Sequence, residues 1–545
     1  MLESKHPEFL LLLNEMISKK QVELLGGPFN YSILPLQTNH ERIASSEMLT
    51  NFIRKKFSKR PRGFWLPEFI WSDSLVSSIV NCGFEYTFHH QTPNEYYTIE
   101  NTLCLTEENF KPLKIFKTLD ASHFPNLLPN EIITQVQNLS KQSSNLLSYN
   151  LTIRGESFKE IYILKKYESP DYMMEKMFSW FRKNLLEFEP YLPSKYNKIV
   201  SSNIHRTYFA KHIPESLTKI IYNSYNREIK NDFAELFLGV KDLENYYAKI
   251  NFVRLLLKNE IRGDKERKRT GIDAISFCFP YDMFEFNKGF FNRECRKNAW
   301  KHLLEAEKCT NGNKYLKSLA LEQDYDLDGQ TEIIVRQKNY DCVINPRTGA
   351  ISEFDYFPVL NNLCSVITAQ GEPTGLFLDS ISLTGKNHIE FFNYALDHER
   401  TVVKLHSSTE TINLEKSICF TASSIIVNYT FANMYNKTVA FEFKTTSNWA
   451  LDFSLNANIS ETLVKKYPNL SSEFCKSTSP LTKNQENYLL LSFASLYPCV
   501  YTTNAIIFET KNKNTYPQGT KLESTWNVKI PPQESLEIQF IVFIE

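Results

Sequence analysis

The apolar residues of this chain change to period-two spacing after Asp328-Gly329, and no other feature constrains the fold as much. Before that point residues 10–17, 47–57 and 72–82 carry apolar side chains at three-and-four spacing, which predicts helices. After it, residues 331–336, 340–345, 424–430, 439–444 and 536–543 read as strands separated by Asn, Gly and Pro turns, with no long helix between them. Residues 316–545 therefore read as an antiparallel β-sandwich. A 545-residue chain that is 42% hydrophobic and 23% charged can bury two or three cores, and it is not a disordered, collagen-like or small disulfide-built protein.

The first part of the chain alternates its elements. Residues 21–27 read as a strand ending in a turn, 62–68 as a strand and loop, 72–82 as a helix and 84–88 as a strand. Such alternation predicts parallel strands joined by crossover helices. Residues 214–308 are helical throughout by spacing. The expected domains are 1–210 (α/β), 211–315 (helical) and 316–545 (all-β), a multidomain α/β plus all-β class.

Charge and cysteine usage narrow the function. Lys plus Arg and Asp plus Glu are 62 each, so no net field draws phosphate backbones or anionic lipid, and neither nucleic acid nor a membrane is expected as a partner. The run at 262–270 interleaves cations with acids and lacks aromatics, which predicts a solvated loop. Ten cysteines are scattered without zinc spacing and read as reduced thiols. With no basic segment followed by an apolar one at the start, a cytoplasmic location is expected.

Residues 59–71 are the most informative for chemistry. They place Glu68 after a strand, with Trp65 and Trp71 beside it. An oxocarbenium-like transition state needs a nearby anion, and aromatic faces bind the apolar sides of sugar rings. Read on residue types alone, a surface glutamate next to two core tryptophans is the favoured interpretation.

Several runs together resemble glycoside hydrolase family 57, in its 4-α-glucanotransferase and α-amylase group. They are His6-Pro-Glu-Phe-Leu, Gln21-Val-Glu-Leu-Leu-Gly-Gly, Ile33-Leu-Pro-Leu, residues 59–71, Gly83-Phe-Glu-Tyr-Thr, Glu244-Asn245, residues 303–308, residues 324–332 and residues 345–356. The resemblance implies a (β/α)7-type barrel, a helical bundle and a β-sandwich, with retaining chemistry on α-glucans or maltooligosaccharides and no cofactor. It makes Glu68 the nucleophile and Glu156 the second carboxylate, and it puts Glu23, Trp65, Trp71 and Arg154 around the substrate.

The departures from the family set further expectations. Its first barrel strand, with a His-x-His-Gln-Pro motif, is not found before Gln21, so the barrel is expected to be incomplete. Its open edge is expected at residues 21–25 or an immediate neighbour, covered by a loop or closed by a homo-oligomer. His89-His90-Gln-Thr-Pro93 follows a different strand and is not equated with that motif. Tyr31 replaces a family glutamate, residues 278–285 lose an Asp, a Trp and a His, and Arg154 replaces the acid/base Asp. A guanidinium stays protonated and cannot shuttle a proton, so catalysis is expected to be impaired. If residues 153–157 end a strand, Arg154 and Glu156 share a cleft with Glu68 and pair with it. The alternative is a non-catalytic relative that binds glucan or a protein. Finally, Asp324, Asp326, Asp328 and Gly329 begin like a calcium loop, but the twelfth position is Val335, so a turn is expected there and no metal.

Overall fold

The computed structural model describes residues 2–90, 103–120, 150–152, 189–199, 204–214, 232–259, 263–284, 291–310, 319–368, 373–382, 389–397, 401–452, 475–480, 488–509 and 513–544, with single positions between them. It divides into two compact units, 1–215 and 216–545. Among the described residues no helix is long and apolar enough to cross a membrane.

The first unit is built on one mixed sheet. Its elements are α1 (Pro7–Ser18), α2 (Asn39–Phe57), β1 (Gly63–Phe64), α3 (Leu75–Asn81), β2 (Tyr86–His90), β3 (Leu103–Glu108), β4 (Lys111–Asp120), β5 (Leu151–Thr152), α4 (Pro193–Ile199) and β6 (His205–Arg206). The sheet order is β1-β2-β4-β3-β6, with β5 paired to β4. The strands β1, β2 and β4 run parallel, and α3 makes the crossover between the first two, as the alternating pattern predicts. The next pair departs from it: β3 and β4 are antiparallel and joined at Asn109-Phe110, both in the left-handed region (φ 51 and 60). That is the backbone of a two-residue hairpin turn. Apolar side chains cover both faces. Phe64, Leu75, Val76, Ile79 and Ile115 pack in one cluster and Phe69, Tyr86, Phe88, Leu103 and Phe116 in another.

Residues 21–25 do not form the expected strand. Val22 and Leu24 pack with Ile17, Ile53 and Phe57 of α1 and α2, while Leu25 joins the Tyr86 cluster, so the side chains alternate faces as a strand's would. Among the described residues of this stretch only Gly26 pairs with the sheet, through Gly26 N–H to Gly63 O and Trp65 N–H to Gly26 O, each 2.8 Å. Glycine is required at 63, where a Cβ would collide with the Tyr86 ring. Upstream, α2 begins earlier than the apolar spacing suggests, because Thr38 and Glu41 form a capping box (Thr38 N–H to Glu41 Oε2, 2.9 Å).

The second unit combines helices with three antiparallel sheets. Its helices are α5 (Lys241–Asn259), α6 (Lys265–Ile275) and α7 (Arg293–Thr310). The basic run expected as a loop lies largely in α6, which Asp264 caps by accepting from Arg267 N–H at 2.9 Å. The strands are β7 (Leu319–Gln323), β8 (Glu332–Arg336), β9 (Tyr340–Asn345), β10 (Ala350–Tyr356), β11 (Asn361–Asn362), β12 (Leu378–Ile381), β13 (Asn393–Asp397), β14 (Val402–Ser408), β15 (Ile412–Thr421), β16 (Ser424–Asn433), β17 (Val439–Trp449), β18 (Cys475–Pro480), β19 (Tyr488–Ser495), β20 (Val500–Glu509), β21 (Thr515–Ile530) and β22 (Ser535–Ile544). Among the described residues no α-helix follows Thr310.

The sheet orders are β11-β10-β9-β8-β7, β12-β17-β21-β20 and β13-β14-β15-β16-β22-β19-β18. Burial alternates along β15 and β16, the period-two pattern of a strand with one face on a core. The seven-stranded and four-stranded sheets share one apolar cluster. Tyr429 of β16 meets Phe443 of β17 at 4.7 Å, and Phe540 of β22 meets Trp526 of β21 at 5.8 Å, edge to face.

Candidate active site

Glu68 sits four residues past the end of β1, in a short 3-10 turn spanning Pro67–Phe69. Its backbone is left-handed (φ 50, ψ 23), and so is that of Phe69 (φ 53). Each non-glycine residue held this way costs about 1–2 kcal/mol, and such strain persists where the surroundings impose it. Here two of them are visible. Phe69 is buried against the Tyr86 cluster, and the Tyr31 hydroxyl clamps Glu68 on both sides. Tyr31 donates to Glu68 Oε1 at 2.8 Å and accepts from the Glu68 backbone N–H at 3.3 Å. The result is a half-buried carboxylate displayed at the end of a parallel strand, a position where α/β folds commonly present chemistry.

The aromatic residues beside it separate into two kinds. Trp65 is half-buried, edge-on to Phe69 at 5.0 Å and 6.3 Å from Phe88, so part of its ring remains accessible. Trp71, expected to line the same cleft, is 0% exposed. Its ring packs edge-to-face on His89 (5.6 Å) and Phe209 (6.1 Å), and its backbone pairs with His212 (N–H to O, 3.2 Å). It is a core residue, packed in the cluster of Phe64, Leu75 and Ile115.

Glu23, expected at the substrate, is likewise engaged elsewhere. Its Oε1 accepts from the Tyr86 hydroxyl at 2.8 Å and its Oε2 from the Ser194 backbone N–H at 3.0 Å, at the start of α4. This carboxylate ties residue 23 to β2 and to a helix N-terminus, where negative charge is favoured. Burial, followed by the Glu23 charge and its hydrogen bond, raises the Tyr86 phenol far above its ordinary range. Arg154 and Glu156 lie outside the described residues, so the expected pairing with Glu68 does too.

Three histidines accompany the site. His89 and His90 end β2, and their rings lie 6.3 and 6.2 Å from that of His212, while His90 is 5.6 Å from Phe69. His212 carries no periodic or motif signal in the sequence. Tyr31 was legible there only as a replacement, not as the partner of Glu68.

The chain is similar to known proteins in sequence and in fold. The sequence profile of glycosyl hydrolase family 57 matches residues 1–119, and that of the α-amylase/4-α-glucanotransferase C-terminal region matches residues 324–374. The chain is 23% identical to alpha-amylase 1 of Dictyoglomus thermophilum over 402 residues, covering 68% of this chain and 58% of that protein. It is 20% identical to the 4-alpha-glucanotransferase of Thermococcus litoralis over 380 residues, covering 64% and 55%. The chain thus spans less than three fifths of the length of these two relatives. The crystal structure of the Thermococcus litoralis enzyme superposes over 100% of this chain and 91% of its own, with a TM-score of 0.74 at 15% identity, which establishes a shared fold. Two family profiles, over residues 1–119 and 324–374, and a fold shared with such an enzyme make the chain similar to glycoside hydrolase family 57.

Proposed function

We propose that this chain engages α-glucans or maltooligosaccharides through its first unit, with Glu68 in the nucleophile's position and Trp65 as the sugar-stacking ring, and that its turnover is impaired. The observation that carries this reading is the carboxylate of Glu68, held in a left-handed turn after β1 and bonded to Tyr31 at 2.8 Å. A retaining hydrolase needs a second group about 5–5.5 Å away to protonate the leaving oxygen and later activate water. The residue matching that group is Arg154, which stays protonated at working pH and releases no proton. In the same reading the sheet of the first unit is a (β/α)7-type barrel open next to β1, where Gly26 alone pairs among the described residues, and the seven-stranded and four-stranded sheets of the second unit form a β-sandwich.

The test is binding and turnover measured on the same purified chain. Titration calorimetry with maltooligosaccharides should give heat, and chromatography of the mixture should show neither hydrolysis nor transfer. Trp65→Ala should weaken binding about three- to tenfold, the worth of one aromatic contact. Trp71→Ala should instead destabilise the unit by about 3–5 kcal/mol, as removal of a core tryptophan does. Ready turnover that Glu68→Gln abolishes would restore a competent enzyme, and no binding at all would remove the glucan reading.

A further inference from the structure

We propose that Asp324, Asp326 and Glu332 form a calcium site that locks the loop between β7 and β8. One carboxylate oxygen from each lies within 4.8 Å of the others. Three acids near one another are ordinarily a solvated cluster, and what distinguishes this one is Glu332. It is only 3% exposed. Its Oε2 accepts from the Tyr325 backbone N–H at 2.8 Å, whereas its Oε1 is buried with no hydrogen-bond partner among the described residues. Asp326 repeats the arrangement. Its Oδ2 meets Lys241 Nζ at 3.2 Å, and its Oδ1 is buried and likewise unpartnered among the described residues. Buried carboxylate oxygens are rarely left without a donor or a cation, because taking them out of water is costly.

Asp324 completes the triangle from the other strand end. Its Oδ1 accepts from Asp328 N–H (3.1 Å) and its Oδ2 from Gly329 N–H (3.2 Å), which fixes the side chain while leaving lone pairs on both oxygens. The donor set is all oxygen, the choice of a hard cation. A calcium sphere is about 4.6–5.2 Å across opposite oxygens, a size that matches oxygens within 4.8 Å of one another, whereas magnesium demands a smaller, strict octahedron. Charge closes as well, since three carboxylates are balanced by one divalent ion and the ammonium of Lys241.

The sequence hid this site because it does not follow the twelve-residue loop. The closing carboxylate comes at the ninth position, as the first residue of β8 and the partner of Gln323 in the last pair of the hairpin. An ion here joins the two strand ends. It also fixes Tyr325, whose hydroxyl donates to both oxygens of Glu353 at 3.0 Å and whose ring meets Phe252 of α5 at 5.4 Å. The proposal does not depend on the glucan reading.

The experiment uses the full chain stripped with a chelator. Calcium alone should bind at one ion per chain by calorimetry and raise the thermal midpoint. Terbium should give luminescence sensitised through tyrosine that calcium displaces and magnesium displaces far less. Glu332→Gln and Asp326→Asn should each weaken calcium binding at least about tenfold, since even second-layer changes cost that much, with the metal-free midpoint kept. Asp326→Asn lies closer to the surface and carries the test if Glu332→Gln does not fold. Wild-type protein without heat or midpoint shift at millimolar calcium, or Asp326→Asn with unchanged affinity, overturns the site. Equal binding of magnesium overturns its assignment to calcium.

Discussion

Glu68 and the carboxylates around Lys249 are both acids among aromatic rings, yet their surroundings differ in every respect that matters for chemistry. Lys249 Nζ touches Asp355 (2.7 Å), Glu307 (2.9 Å) and Glu353 (3.2 Å), and Arg336 touches Asp341 (3.0 Å) and Glu307 (3.3 Å). None of these side chains is more than 5% exposed. Four carboxylates thus face two cations in a sealed network. Burial raises Asp341 to about 7 in spite of Arg336 beside it, and lifts Glu353 and Asp355 above the ordinary carboxylate range. Glu68, by contrast, is half in solvent and held by a neutral hydroxyl. Perturbed titration often marks an active site. In this chain it marks a joint between α5, α7 and the five-stranded sheet, while Glu68 is the accessible carboxylate.

The sharpest way to break the contrast is to remove the central cation. Lys249→Met leaves three carboxylates without their ammonium, and should cost about 3–5 kcal/mol as a broken buried ion pair does. Urea unfolding of the full chain reads this directly. A loss under about 1 kcal/mol would mean the network behaves like a surface cluster, and the contrast with Glu68 would collapse.

Titration gives a smaller, signed effect. A carboxyl whose folded value lies above its unfolded value binds more protons when folded, so its contribution is present below the unfolded value and is lost as pH rises through the folded one. For Asp341 that window runs from about 4 in the unfolded chain to about 7 in the fold. The unfolding free energy should therefore decline between about pH 4 and pH 7, and Asp341→Asn should flatten the decline. Stability that rises across this window in the wild type, with no difference in the variant, would show the network to be ordinary paired acids.

The two regions also differ in what the sequence discloses. Period-two spacing gave away the strands of the second unit, because a strand with one buried face must alternate, and β16 and β17 start where that pattern starts. The β3–β4 hairpin stayed hidden because its left-handed positions are filled by Asn109 and Phe110, without the glycine that usually signals such a turn. Trp65 and Trp71 are six residues apart and identical in type, and only the path of the chain after Glu68 exposes one and buries the other. Glu23 is claimed by Tyr86 and Ser194, 63 and 171 residues away, a pairing no local pattern encodes. Glu68 itself was legible through family likeness, and its clamp by Tyr31 was not.

The mildest test acts on that clamp. Tyr31→Phe removes a hydroxyl that donates to Glu68 Oε1 and accepts from the Glu68 backbone N–H, while keeping the ring. Tyr31 is 44% exposed, so water can replace both bonds. The loss should be about 0.5–1.5 kcal/mol in urea unfolding, the net worth of an accessible hydrogen bond. Releasing the carboxylate should not by itself produce turnover on maltooligosaccharides, because residue 154 remains an arginine and no proton donor is gained. A loss of 3 kcal/mol or more would place the Glu68 turn with the Lys249 network, as a structural joint. Turnover appearing in Tyr31→Phe would instead show that the tyrosine clamp, and not the missing acid, is what holds this site silent.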